Sequence, residues 1–116
     1  MSRRLCFALD LIDDPAKIAE YEQHHRPGAV WPQIVDDIRA QGIEGMEIWR
    51  TGDRMVMIAT VADDYPRDRD IPAEYDVWES LMWTFQKALP HAAPGQKWVP
   101  MHRIFDLAQQ TGVTAS

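Results

Sequence analysis

Between Arg54 and Val61 the chain is apolar on both sides of a strand. Met55, Met57 and Val61 fall on one face, Val56 and Ile58 on the other. A sheet with one face in water alternates apolar with polar residues. This stretch does not, so the sheet it joins needs cover on both faces. Arg4–Leu11, alternating Leu5, Phe7, Leu9 and Leu11, reads as a second strand. Ile43–Arg50 reads as a third, joined to Arg54–Val61 by Thr51-Gly52-Asp53, a hairpin turn with glycine in it.

Helices fill the intervals. Asp13-Asp14-Pro15 gives an aspartate cap and a proline at the first helical position, so a helix starts there and runs to about His25. Arg26-Pro27-Gly28 stops it. Trp31-Pro32 opens a second helix, with Ile34, Val35 and Ile38 inward, ending near Gln41 with Gly42 as its cap. Ala62–Pro72, acidic and interrupted by prolines, is expected to be an exposed loop. Ala73–Leu89 is expected to be the longest helix, with a stripe of Leu81, Phe85 and Ala88 beside Trp78. His91–Gly95 reads as a turn, Trp98–Leu107 as the last strand, and Gln109–Ser116 as a frayed tail.

The order β-α-α-β-β-α-β, with the two short helices as one crossover, predicts an α+β domain of the ferredoxin-like, split β-α-β kind. A chain of 116 residues suits one such domain, spanning residues 1–116. Its helices cover one face of an antiparallel sheet and leave none for the other. A second copy of the chain, or a ligand pocket between two copies, is the simplest cover, so a homodimer is expected.

Composition narrows the partners. A net charge of −6 argues against nucleic acid and an anionic membrane, which call for a basic patch. No apolar run is long enough to span a bilayer, and no signal peptide is readable, so the cytoplasm is the expected location. Cys6, the only cysteine, lies in the first strand and is expected to be an inert thiol.

The chemistry concentrates in Tyr21–Pro32. Tyr21 and His25, four residues apart on a helix, are separated by about 40° of rotation and point the same way. Histidine exchanges protons near neutral pH. The structural alternative is a helix-end histidine bonded to the last carbonyls, with the tyrosine packed at the core edge. His24 points about 100° away and is expected to face solvent. Glu47 shares a strand face with Trp49. It is either paired, for instance with Arg54 or Arg103, or placed in a site. Glu79, Trp83 and Gln86 fall at i, i+4 and i+7 of the long helix. They offer either a ring with hydrogen-bonding groups for sugar hydroxyls or a solvated face. Lys17, Lys87 and Lys97 read as exposed. There is no phosphate loop, no His-Glu-x-x-His, no Cys-x-x-Cys and no Gly-x-Ser-x-Gly, so neither a metal nor a cofactor is expected.

The run Tyr21-Glu22-Gln23-His24-His25-Arg26-Pro27 followed by Trp31-Pro32 resembles the signature of the L-rhamnose mutarotase family. Glu47–Arg54, Trp78–Trp83 and Lys97–Phe105 resemble its hairpin, its Trp-bearing helix and its final strand, in the same order. Rhamnose-specific members tend to carry two adjacent tryptophans where this chain reads Met82-Trp83, and are richer in tyrosine at the hairpin. These departures resemble the branch associated with L-fucose. The resemblance implies a dimeric ferredoxin-like domain that interconverts the α and β anomers of a 6-deoxy-hexose without cofactor. It implies His25 in proton transfer, Tyr21 orienting or relaying, and Glu47 as a second acid/base or hydroxyl ligand. Trp83, Trp31 and Trp78 would form the apolar wall, with Glu79 binding hydroxyls. An L-rhamnose mutarotase, a non-catalytic dimeric binding module for a small ligand, and an oxygenase on the same architecture are the alternatives.

Overall fold

β1 (Arg3–Leu11) runs through the middle of the sheet, and its burial deepens from exposed Arg3 and Arg4 to fully buried Leu9 and Leu11. The computed structural model describes residues 2–110. β3 (Arg54–Val61) lies antiparallel to β1 with Leu9 opposite Met55 and Phe7 opposite Met57, and β2 (Ile43–Thr51) lies antiparallel to β3. The other edge of β1 is paired by two short strands, β4 (Gln86–Lys87) and β5 (Val99–Pro100), both antiparallel to it. The sheet order is β2-β3-β1-β4, with β5 also on β1.

One face of this sheet carries rows that cross three strands: Ile48, Met57 and Phe7, and beside them Met46, Ala59 and Leu5. Three helices meet that face: α1 (Pro15–His24), α2 (Pro32–Ala40) and α3 (Glu74–Trp83). Leu9, Leu11 and Met55 pack there with Tyr21 of α1, Ile34 of α2, Trp78 and Met82 of α3, and Phe85. A second, smaller core joins Ile43, Ala59 and Val61 to Ile38 and Tyr65. Neither core draws on the opposite face, which holds Cys6, Ala8, Val56 and Ile58 with Glu47 and Trp49. This is an α+β fold with three helices on an antiparallel sheet.

Local chemistry explains the well-read elements. The Asp14 carboxylate accepts from the Ala16 and Lys17 amides, and Pro15 follows it, so α1 starts where expected. Gly42 takes φ +97 just past α2, a conformation that costs other residues a steric penalty.

Two expectations need correction. The helix from Ala73 does not reach Leu89; α3 ends at Trp83. The Thr84 hydroxyl donates to the Leu81 carbonyl, and the Thr84 and Phe85 amides bond three residues back, tightening the last turn. The chain then turns into β4 because the Asp10–Leu11 edge of β1 offers hydrogen-bonding groups that a continuing helix would leave unpaired. Next, the last strand is much shorter than Trp98–Leu107. Only Val99 and Pro100 pair, Met101 adds one bond to the Cys6 carbonyl, and Pro100 has no N–H to give. Residues 102–105 leave the sheet with exposed side chains, and a short 3-10 turn follows at Leu107–Gln109. The 62–72 loop is largely exposed, as expected, and is tied to α2. Arg69 clamps buried Asp37 of α2 with two hydrogen bonds of 2.8 and 3.1 Å. Of the expected tail, residues 111–116 lie outside the described residues.

Candidate active site

The cavity lies between the helices and their sheet face. It encloses about 550 Å³, inside the range typical of small-molecule sites. Phe7, Met46, Ile48, Met57 and Ala59 form an apolar floor, every one of them from the helix-covered face. Polar groups stand on the walls: Tyr21 and His25 from α1, Glu79 from α3, Gln86 from β4, and Lys97 from the loop before β5.

Tyr21 and His25 do share a face. Their rings lie 4.3 Å apart, tilted by 34°, and the edge of Trp78 approaches His25 at 5.9 Å. Tyr21 is 4% exposed. Burial pushes its phenol up to about 12, against a smaller opposing effect from Gln86, whose Nε2 donates to the phenol oxygen at 3.1 Å. The phenol is therefore neutral at any physiological pH and keeps its O–H proton available to donate. Burial also holds His25 below the ordinary imidazole value, partly offset by a bond to the Tyr21 carbonyl. That bond, Nδ1 to Tyr21 O at 2.8 Å, requires the proton on Nδ1, because a carbonyl only accepts. The neutral ring then carries its lone pair on Nε2, as a general base must. The bond to a terminal carbonyl expected of a structural histidine is present, and it leaves Nε2 free to accept a proton.

The other expected residues divide. Trp78 is buried, lines the cavity, and is backed by Trp31, whose ring sits 5.0 Å away edge-on. Trp31 itself does not line the cavity. Glu79 lines it and accepts from Lys97 Nζ at 2.8 Å. Trp83 does not: one residue beyond Met82, it is turned about 100° on the helix and instead holds the Lys97 ammonium 4.9 Å over its ring. Met82 lines the cavity in its place. Glu47 is on the wrong face. It pairs with Ile58 of the outer face while its neighbours Met46 and Ile48 face inward, and it accepts from Trp49 Nε1 at 2.9 Å. Neither expected salt-bridge partner reaches it, since Arg54 pairs with Asp10 and Arg103 with Asp106.

Sequence reasoning missed Lys97, which is held in the wall by Glu79 rather than exposed, and His24, which packs its ring against Phe85 at 5.5 Å and Trp78 at 6.4 Å. It placed Gln86 on a helix. The signal for Gln86 lay in Thr84, a poor helix residue one position after the true end. Among the described residues, no group of three or more His, Cys, Asp or Glu is arranged to hold a metal ion, and no helix is long and apolar enough to cross a membrane.

A neutral imidazole and a neutral phenol over an apolar floor, with an ion pair on the wall, make a site for moving protons on a small molecule. Residues 4–107 match the model of the L-rhamnose mutarotase family. The chain is 50% identical to an L-fucose mutarotase of Xanthomonas campestris pv. campestris, across 96% of this chain and 93% of that protein. It is 29% identical to a UPF0734 protein of Dictyostelium discoideum, across 86% of each. Its fold matches the crystal structure of an L-rhamnose mutarotase from Formosa agariphila with a TM-score of 0.63, at 18% identity, over 90% of this chain and 98% of that one. The chain belongs to the L-rhamnose mutarotase family. It is a sugar mutarotase, and so an isomerase.

Proposed function

We propose that the sugar is L-fucose and that His25 carries the proton. The observation that supports the role is the bond from His25 Nδ1 to the Tyr21 carbonyl at 2.8 Å, which leaves Nε2 as a base in a neutral ring. The half-identical L-fucose mutarotase supports the sugar. His25 Nε2 takes the proton of the anomeric hydroxyl. The C1–ring oxygen bond breaks as the C1 carbonyl forms, and the imidazolium returns its proton to the ring oxygen that left. Rotation about C1–C2 and the reverse sequence close the ring on the other face, with no net change in protons. Tyr21 donates a hydrogen bond to the oxygen gaining charge, as a preorganised donor. Trp78 walls the ring, with Trp31 behind it, and Glu79 with Lys97 meets hydroxyls. Glu47 has no part in this chain's own cavity.

The test is saturation-transfer NMR of anomer exchange with L-fucose, L-rhamnose and D-galactose. L-fucose should exchange fastest. His25→Ala should lose about 10²–10⁴-fold; a wild-type rate in that variant would remove His25 from the role.

The outer sheet face supports a further part of the reading, that two copies of this ferredoxin-like domain pair through it. Val56 and Ile58 are only partly covered there, and Trp49 is 63% exposed. Beyond β5, Ile104 (90% exposed), Phe105 and Leu107 are further exposed apolar side chains. An apolar surface of this extent is characteristic of an interface.

A further inference from the structure

Gln86 is 6% exposed, and its backbone is fixed by pairing with Leu11. Its amide bonds to Tyr21: Nε2 donates to the phenol oxygen at 3.1 Å, joining residues 65 apart in the chain. The other end of the amide, Oε1, is buried with no hydrogen-bond partner. A buried acceptor left unsatisfied is costly, and methionine or leucine would fill similar space without that cost. What the amide does in exchange is hold Tyr21.

A phenol oxygen accepts as well as donates. With its oxygen already receiving the Gln86 N–H, the Tyr21 proton has to be given elsewhere. The opposite amide orientation would spend the phenolic proton on Oε1 and leave both amide N–H groups idle, whereas here one N–H bonds the phenol and the other N–H and Oε1 are idle. Both residues line the cavity, so the free direction for the phenolic proton is toward a bound molecule.

We propose that Gln86 is a positioning residue: its N–H occupies the Tyr21 oxygen so that the phenolic O–H is presented to the sugar oxygen that gains charge as the ring opens. No proton leaves the phenol in this role. The inference rests on the mutarotase reading of the pocket. Burial keeps the phenol protonated throughout the working range, so the donor is always present.

The test is a double-mutant cycle read by L-fucose anomer exchange at saturating and sub-saturating sugar. Gln86→Leu should lower kcat by up to roughly 10²-fold, the scale of a misplaced catalytic contact, with little change in KM. Tyr21→Phe should do the same. Adding Gln86→Leu to Tyr21→Phe should cost nothing more, because no phenol remains to be oriented. Gln86→Met serves the same cycle if the leucine variant does not fold. Gln86→Glu supplies an independent readout. A protonated carboxyl donates as the amide does, whereas an ionised one only accepts, so the ratio of this variant's activity to the wild type's at the same pH should rise as pH falls through its carboxyl's titration. Losses that add in the double variant, a loss carried by KM, or a wild-type pH profile in Gln86→Glu would each overturn the proposal. If the wild type with His25 intact accelerates exchange of no sugar, the mutarotase reading fails, and this role fails with it.

Discussion

Two neutral side chains, His25 and Tyr21, set the pH behaviour. As the proposed base, His25 must be unprotonated, and burial lowers its pKa from the ordinary 6.5. The rate of anomer exchange should therefore hold level as pH falls through 6.5 and decline only below it, as a pH series by saturation-transfer NMR will show. Tyr21 works in the other direction. Its folded-state value, about 12, exceeds the ordinary 10, so the folded state binds this proton more tightly. The corresponding stability, roughly 3 kcal/mol, is fully present below pH 10 and is lost as pH rises toward 12. Urea unfolding at alkaline pH should show that loss in the wild type and much less of it in Tyr21→Phe. The pairing of Tyr21 with His25 was readable from their spacing, since a helix brings i and i+4 together wherever it packs. Glu47 was not readable in the same way. Period two states that Glu47 and Trp49 share a side, but only the position of the helices says which side has the cavity.

At the scale of elements, the clamp between α2 and the 62–72 loop is the most exposed to mutation. Asp37 is buried and Arg69 partly so, with two hydrogen bonds between them. Removing one partner leaves the other's charge uncompensated. Asp37→Ala should cost roughly 3 kcal/mol or a little less, given the partial exposure of Arg69, measurable as a lowered urea midpoint with the slope unchanged. α1, α2 and the β2–β3 hairpin were legible because their signals are local: an aspartate cap before proline, a glycine after the last turn, a glycine in a two-strand connection. The end of α3 was not. Phe85 is apolar and in phase with the helix stripe, so periodicity carries the helix past its end. The hydrogen-bonding edge of β1, about seventy-five residues earlier by sequence, decides otherwise. Lys97 was misread for a related reason. A lone lysine looks solvated until Glu79 and the Trp83 ring are brought beside it.

For the whole molecule, the doubly apolar strand β3 is the governing fact. Its inner face, Met55, Met57, Ala59 and Val61, is covered by helices or opens into the cavity, while Val56 and Ile58 on its outer face stay without a helix. A homodimer through that face predicts that size-exclusion chromatography with light scattering finds two chains, and that Ile58→Glu, placing a carboxylate in the interface, yields monomers. A monomeric wild type would overturn it. By itself, the sequence determined the three long strands, the helix starts and the pairing of Tyr21 with His25, because those rest on spacing and local steric rules, and its motifs carried the resemblance to the family. Only the tertiary structure decided that Glu47 turns away from the cavity, that Trp83 yields its place to Met82, and that Gln86 reaches Tyr21 across 65 residues. Burial and the unpaired edge of a strand are properties of the assembled chain, and no local pattern encodes them.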